Sequence, residues 1–292
     1  MELVPCATSA PLWQGRDSPS WGPRARPYPE PVATSGRNLA RDLGIGLAGG
    51  ILSGIFGIGG GVVVVPMLVL IVHLAQRRAQ ATSLVMIAIA ATAGAATYAL
   101  GNSVAIVPAL IIVAGGLAGT WVGTTWIHRV TDQRLQSAFA VLLILAAIRL
   151  AWPSSGPDET TLTDMSVIVA IGYFACGSAM GILSSMMGVG GGIILIPLLV
   201  GIFGFSQHDA AGTSLVVMVP IALFGAIRHS RSGFTDWGMG LRLGIGAFFG
   251  AIAGAAVALR IEGPVLRLAF AALVLYTAIQ MLVVARRSKV TA

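Results

Sequence analysis

Charge is what this chain has least of. Asp, Glu, Lys and Arg together make up 10% of its 292 residues, against roughly 25% in a soluble domain. So few polar groups cannot cover a soluble globule of this length. That excludes a soluble enzyme, a nucleic-acid-binding domain and a disordered protein. Cysteine is nearly absent as well. Cys6 sits in a polar tail and Cys176 in an apolar run, so no disulfide is expected between them. The 11 acidic residues fall in the tail, the loops or the ends of apolar segments, and His73, His128, His208 and His229 lie near segment ends. With no carboxylate or histidine expected deep in a span, a metal site, a cofactor and a carboxylate proton relay all lack ligands.

What the chain does have is apolar length and glycine. Hydrophobic residues make up 56% and glycines number 38, a combination suited to membrane helices whose backbones approach closely. Apolar segments run at about 43–57, 61–74, 79–100, 104–127, 135–152, 166–187, 193–204, 210–228, 237–259 and 265–285. About 20 such residues cross a bilayer. The pairs 43–57/61–74 and 166–187/193–204 are each broken by a glycine cluster, and none of these four segments is an obvious span. Residues 1–40 hold seven of the 14 prolines and no signal-peptide core, so they read as a disordered tail.

The membrane region is a duplication. Gly50-Ile51-Leu52-Ser53 returns as Gly181-Ile182-Leu183-Ser184, and Gly57-Ile58-Gly59-Gly60-Gly61 returns as Gly188-Val189-Gly190-Gly191-Gly192. Pro66 returns as Pro197, Thr82-Ser83-Leu84 as Thr213-Ser214-Leu215, and Phe139 as Phe270. Gly115, Gly119 and Gly123 return as Gly246, Gly250 and Gly254. Every pair is 131 positions apart, with no gap over nearly ninety residues. The expected organisation is a tail (1–40), repeat 1 (41–152), an acidic linker (153–164), repeat 2 (165–287) and a short C-terminal tail (288–292).

The arginines choose a topology. With the N-terminus inside and each glycine-broken pair folded as a re-entrant hairpin, each repeat crosses three times. Of the 15 basic residues from Arg37 onward, only Arg149, Arg260 and Arg267 then lie outside. If each broken pair spans instead, Arg77, Arg78, Arg129 and Arg134 move outside and only Arg149 moves in. The positive-inside bias favours the hairpins. An odd number of crossings inverts the second repeat, the construction used by many secondary transporters with broken helices. The fold expected is all-α and polytopic: two inverted repeats, each a glycine-broken hairpin plus three transmembrane helices, with both termini cytoplasmic.

The glycine clusters carry the chemistry. A helix that starts at a break inside the membrane presents free N–H groups and about half a positive charge. Two such starts, converging from two repeats, suit a small anion. The residues expected to bind it are Gly57, Gly59, Gly60, Gly61, Gly188, Gly190, Gly191 and Gly192, with hydroxyls from Thr82, Ser83, Thr213 and Ser214. Close packing alone is the competing role for the glycines, and bonding within their own helix the competing role for the hydroxyls. Pro66 and Pro197 are expected to shape the short helices. Arg149, Arg228 and Arg242 are expected to snorkel to the interface, with Arg149 or Arg228 the candidates for facing a cavity. No phosphate loop is present, because no Lys-Ser/Thr follows the glycines. Ser53 and Ser184 have no deep base to make them nucleophiles, so no enzyme is expected.

The motif Gly54-Ile55-Phe56-Gly57-Ile58-Gly59-Gly60-Gly61 through Pro66, its second copy through Pro197, and the two Thr-Ser-Leu triplets resemble the sulfite exporter TauE/SafE family. The resemblance covers about 43–286. It departs only in a small way where Ala81 replaces the Gly212 of the second copy, and the tail has no family counterpart. It implies a multi-pass prokaryotic inner-membrane transporter for a small sulfur-containing anion such as sulfite or an organosulfonate. A passive small-anion channel, or a transporter of another small anion, is the alternative. The expected partners are that anion and the lipid bilayer, with no nucleic acid and a homodimer left open.

Overall fold

The computed structural model describes residues 38–126, 143–145, 147, 148, 150, 166–187 and 191–290, without the side chains of 124–126, 186, 187 and 281–290. The expectations for the tail up to residue 37, the linker 153–164, His128, Arg129, Arg134, Phe139, Arg149, Gly188 and Gly190 lie outside the described residues. In chain order the helices described from end to end are α1 (Leu39–Phe56), α2 (Gly61–Leu70), α3 (Gln76–Leu100), α4 (Ile106–Trp126), α5 (Val167–Met187), α6 (Gly192–Gly201), α7 (Gln207–Arg231), α8 (Trp237–Ala258) and α9 (Gly263–Val290); residues 143–145, 147, 148 and 150 are helical as well. Seven of these are long and apolar enough to cross a membrane, and α2 and α6 are the short ones. Leu110, Trp121, Phe249 and Leu268 point outward and exposed, as lipid contact allows and water would not.

None of the four arms of the glycine-broken pairs is an obvious span in the sequence; in the structure the first arm of each is long and apolar enough to cross a membrane. Helix α1 begins at Leu39, before the apolar run, and its 18 residues reach about 27 Å at 1.5 Å per residue. Its first turn contains Asp42, which an ion pair holds inside the protein rather than at the surface. Each pair therefore has one membrane-length arm and one half-length arm.

Glycine stripes set the helix directions. Side chains at Gly46, Gly50 and Gly54 of α1 would strike the backbone of Leu243, Ala247 and Ala251 on α8. Residue numbers rise together along both helices, so α1 and α8 are parallel. Gly240 and Gly244 of α8 lie against Val85 and Ile89 of α3, so α3 shares that direction. The chain must therefore return to its starting end between α1 and α3. Helix α2 supplies about 15 Å of that return, and the turn after it, closed by Leu74 N–H on the Leu68 carbonyl, leads into α3.

The two halves exchange contacts in a regular way. Gly177 and Gly181 of α5 meet Ile112 and Gly116 of α4, the counterparts of Gly46 and Gly50 against Leu243 and Ala247. Gly115, Gly119 and Gly123 meet Phe174, Ser178 and Ile182, as Gly246, Gly250 and Gly254 meet Leu43, Leu47 and Ile51. The equivalent helices α3 and α7 pack against each other in opposite directions, because Gly94 faces Leu215 while Gly225 faces Leu84. This is the contact pattern of a pseudo-twofold axis perpendicular to α3 and α7. Backbone signs repeat as well: the left-handed residues His73 and Asn102 of the first half are Gly204 and Gly233 in the second.

Candidate functional site

Each hairpin turns on left-handed backbone that glycine adopts without steric cost. Helix α1 ends at Gly57, whose φ is 72° and whose N–H donates to the Ser53 carbonyl. Gly59 and Gly60 follow at φ 77° and 70°, and α2 starts at Gly61. In the second hairpin Gly191, at φ 74°, caps the start of α6 at Gly192. Val63 and Val64 donate to the Gly60 carbonyl, and Ile194 and Leu195 to that of Gly191; the amides of Gly61 and Val62, and of Gly192 and Ile193, precede any acceptor within their own helix.

These starts lie close together and at mid-height. Gly192 packs against the Gly57 carbonyl and the Ile58 Cα, and beside Met218. Gly59 lies against Met218 and Ile87, which stand near the midpoints of α7 and α3. The structure thus brings together Gly57, Gly59 and Gly192 directly, with Gly60 and Gly191 one residue away along the chain and Gly61 two. The space that glycine leaves is taken up by protein: Gly60 is pressed on the Gly49 carbonyl and Gly191 on Met180. A side chain at either position would collide with the neighbouring helix, so close packing accounts for the missing Cβ atoms. The backbone amides are what these glycines can offer a ligand.

The four hydroxyl residues are all buried, and their partners are specific. Thr213 Oγ1 accepts from the Ala105 N–H at 3.0 Å, and Thr82 Oγ1 accepts from the Asp236 N–H at 3.2 Å. Ala105 and Asp236 are themselves repeat mates, so each threonine pins the chain entering α4 or α8. Ser83 Oγ donates to the Gln80 carbonyl at 2.8 Å. Ser214 Oγ donates to the Gly57 carbonyl at 3.0 Å, across 157 residues, and so ties α7 to the tip of the first hairpin.

Sequence reasoning missed two further residues at the hairpins. Tyr98 is fully buried on α3, and its hydroxyl donates to the Gly54 carbonyl at 3.0 Å, satisfying an acceptor in the last turn of α1. Its repeat mate is His229, whose Nε2 lies 3.3 Å from the Ser185 carbonyl on α5. A carbonyl can only accept, so that nitrogen carries the proton. The signal in the sequence was available: Tyr98 and His229 are 131 positions apart, but their side chains differ and only their shared role reveals the match.

Arg242 has a specific partner as well: its Nε donates to Asp42 Oδ2 at 2.9 Å, and Arg41 adds a 3.4 Å contact to Oδ1. Asp42 is 1% exposed, so one carboxylate does lie buried in a membrane-length helix. It tolerates burial because two guanidinium groups pair with it. The repeat mate of Asp42 is Tyr173, which packs on Phe203 and Phe205 instead. The two ends of the molecule therefore differ, one ionic and one aromatic.

Membrane-length helices, two intramembrane helix breaks and a repeated architecture define a multi-pass membrane protein with the construction of a transporter. The profile of the family described as sulfite exporter TauE/SafE matches residues 9–150 and 173–292, and the chain belongs to that family. The match starts within the tail, at residue 9, and so corrects the expectation that the tail has no family counterpart. The chain is similar to the probable membrane transporter protein YunE of Bacillus subtilis (strain 168), with 26% identity over 239 residues, 73% of this chain and 86% of that protein. It is similar also to the probable membrane transporter protein YdhB of the same organism, with 26% identity covering 70% and 84% of the two chains. A probable membrane transporter protein of Haemophilus influenzae is 28% identical over 208 residues, 66% of this chain and 73% of that one. No solved structure matches.

Proposed function

We propose that this chain is a secondary transporter, working as an exporter in the inner membrane, for a small sulfur-containing anion such as sulfite or an organosulfonate. The observation that carries the reading is the meeting of the two hairpins, with Gly192 against Gly57 and Ile58 at the mid-height of α3 and α7. Two helix starts that converge there direct their free amides and the positive ends of their dipoles into one region. The antiparallel packing of α3 on α7 supports an inverted-topology repeat, because an axis perpendicular to membrane-spanning helices lies in the membrane plane. The family description supplies the sulfur oxyanion and the outward direction.

In this reading the anion is held by the amides that begin α2 and α6. Access alternates as the contact between the hairpin tips separates toward one side and then the other. The protein is not an enzyme: binding and release of an unchanged anion require no nucleophile and no cofactor.

The test is flux in proteoliposomes of the purified chain, under a proton or sodium gradient, with sulfite, thiosulfate and methanesulfonate as probes. Saturable flux at carrier rates supports the reading. Conductance far above carrier turnover would convert it to a channel, and no flux of any of the three would overturn it.

A further inference from the structure

Five helical hydroxyls share one habit. Thr92, Thr97, Thr120, Ser178 and Thr277 each donate to the carbonyl four residues back, at 2.8–3.0 Å. Ser53 does not. It is completely buried in the last turn of α1, and its Oγ has no hydrogen-bond partner among the described residues. A hydroxyl deep in an apolar region without a partner is costly, and the carbonyl that its neighbours' habit would choose is Gly49, against which Gly60 is packed.

The position of this orphan hydroxyl is informative. Helical side chains lean toward the N-terminal end of their helix, so Ser53 leans toward Gly49 and hence toward Gly60, the residue that caps the start of α2. The second repeat shows the same proximity directly: a Cβ on Gly191, the cap of α6, would lie 3.2 Å from the Ser184 Cβ, and Ser184 is the repeat mate of Ser53. By that equivalence the buried donor of Ser53 lies on the side of α1 that faces the start of α2, where the amides of Gly61 and Val62 precede any acceptor in their own helix.

We infer that Ser53 is a substrate-binding residue, its hydroxyl donating to an oxygen of the transported anion alongside the first amides of α2. This rests on the anion-transport reading above and deepens it. The ligand class it selects is a small oxyanion with at least two oxygens, one for the hydroxyl and one for the helix start. Sulfite, thiosulfate and the sulfonates share that feature, and halides lack it.

The experiment is equilibrium binding of sodium sulfite, thiosulfate and methanesulfonate to the purified full-length chain, with chloride as the comparison. Ser53→Ala is expected to raise the Kd of the oxyanion about tenfold, the loss of one hydrogen bond to a charged group. It is also expected to raise the anion-free Tm, because the orphan donor is gone. Ser53→Cys keeps the size with a weak donor and gives the same loss if the alanine variant fails to fold. Thr92→Ala, exposed and bonded within its own helix, is expected to bind as the wild type does. Wild-type binding with an unchanged Kd in the Ser53 variants overturns the role of Ser53 and leaves the transport reading standing. A wild type that binds none of the oxyanions overturns both.

Discussion

Arg242 and Asp42 are 200 residues apart in sequence, and the guanidinium Nε donates to the carboxylate at 2.9 Å. The bond joins the first turn of α1 to α8 at the ionic end of the molecule. Asp42 is almost completely enclosed, while the Arg242 side chain is a quarter exposed.

Removing one partner of a buried pair strands the other charge. Arg242→Leu is expected to destabilise the protein by about 3 kcal/mol, the low end for such a loss, because Arg41 keeps its contact with Asp42. Adding Asp42→Asn to that variant removes the stranded charge and is expected to recover part of the loss. Thermal unfolding of the wild type, both singles and the double reads this out. Additive single effects would show that the pair is not energetically coupled.

Two glycines on α1 are expected to behave in opposite ways. A side chain at Gly50 strikes the Ala247 backbone, so Gly50→Ala must push α1 and α8 apart; overpacking of this kind costs about 1–3 kcal/mol. At Gly44 nothing lies within 4 Å. Gly44→Ala is expected to stabilise by about 0.5–1 kcal/mol, because alanine loses less backbone entropy in a helix. The Tm of the two variants should move in opposite directions, and equal shifts would sink the packing argument for the stripe.

The left-handed positions of the connections make a second set. His73 has φ 58°, where the other half has Gly204 at φ 74°; Asn102 has φ 57°, where it has Gly233 at φ 72°. Gly204→Ala and Gly233→Ala are expected to cost about 1 kcal/mol each. His73→Gly is expected to gain about 0.5 kcal/mol, and Asn102→Gly less, because asparagine tolerates this region. Denaturation midpoints measure all four; a destabilised His73→Gly would mean that the imidazole makes a compensating contact.

The proposed orientation is open to labelling. With Cys6 and Cys176 replaced, a cysteine at exposed Gln76 or Ser232 is expected to react with an impermeant maleimide only from the cytoplasmic side. A cysteine at exposed Asn102 or Arg260 is expected to react only from the opposite side. The helix directions place the first pair at one end and the second pair at the other. Reaction of both pairs from the same side would overturn the crossing pattern.

Much of the architecture was legible in the sequence. Each helix boundary fell within a few residues of an apolar run, because the bilayer demands a length and glycine or polar residues interrupt it. The duplication showed as one constant offset. At the site, the glycines that turn each hairpin were visible, since left-handed backbone leaves few alternatives at Gly57, Gly59 and Gly60. The hydroxyls were visible too, but not their partners: nothing near Thr213 in the sequence names Ala105 as the amide it accepts from.

The amino-acid sequence by itself determined the solvent this protein folds in, the lengths of its helices, the twofold duplication and the two breaks. Each is a local or periodic property of the chain. Only the tertiary structure decided that α1 lies on α8 and α4 on α5, that Asp42 is buried under Arg242, that Tyr98 and His229 serve equivalent carbonyls in opposite halves, and that Ser53 is left without a partner among the described residues. Those depend on which helices meet and in which direction they run. Periodicity records which face of a helix is apolar but carries no information about the surface that face will meet.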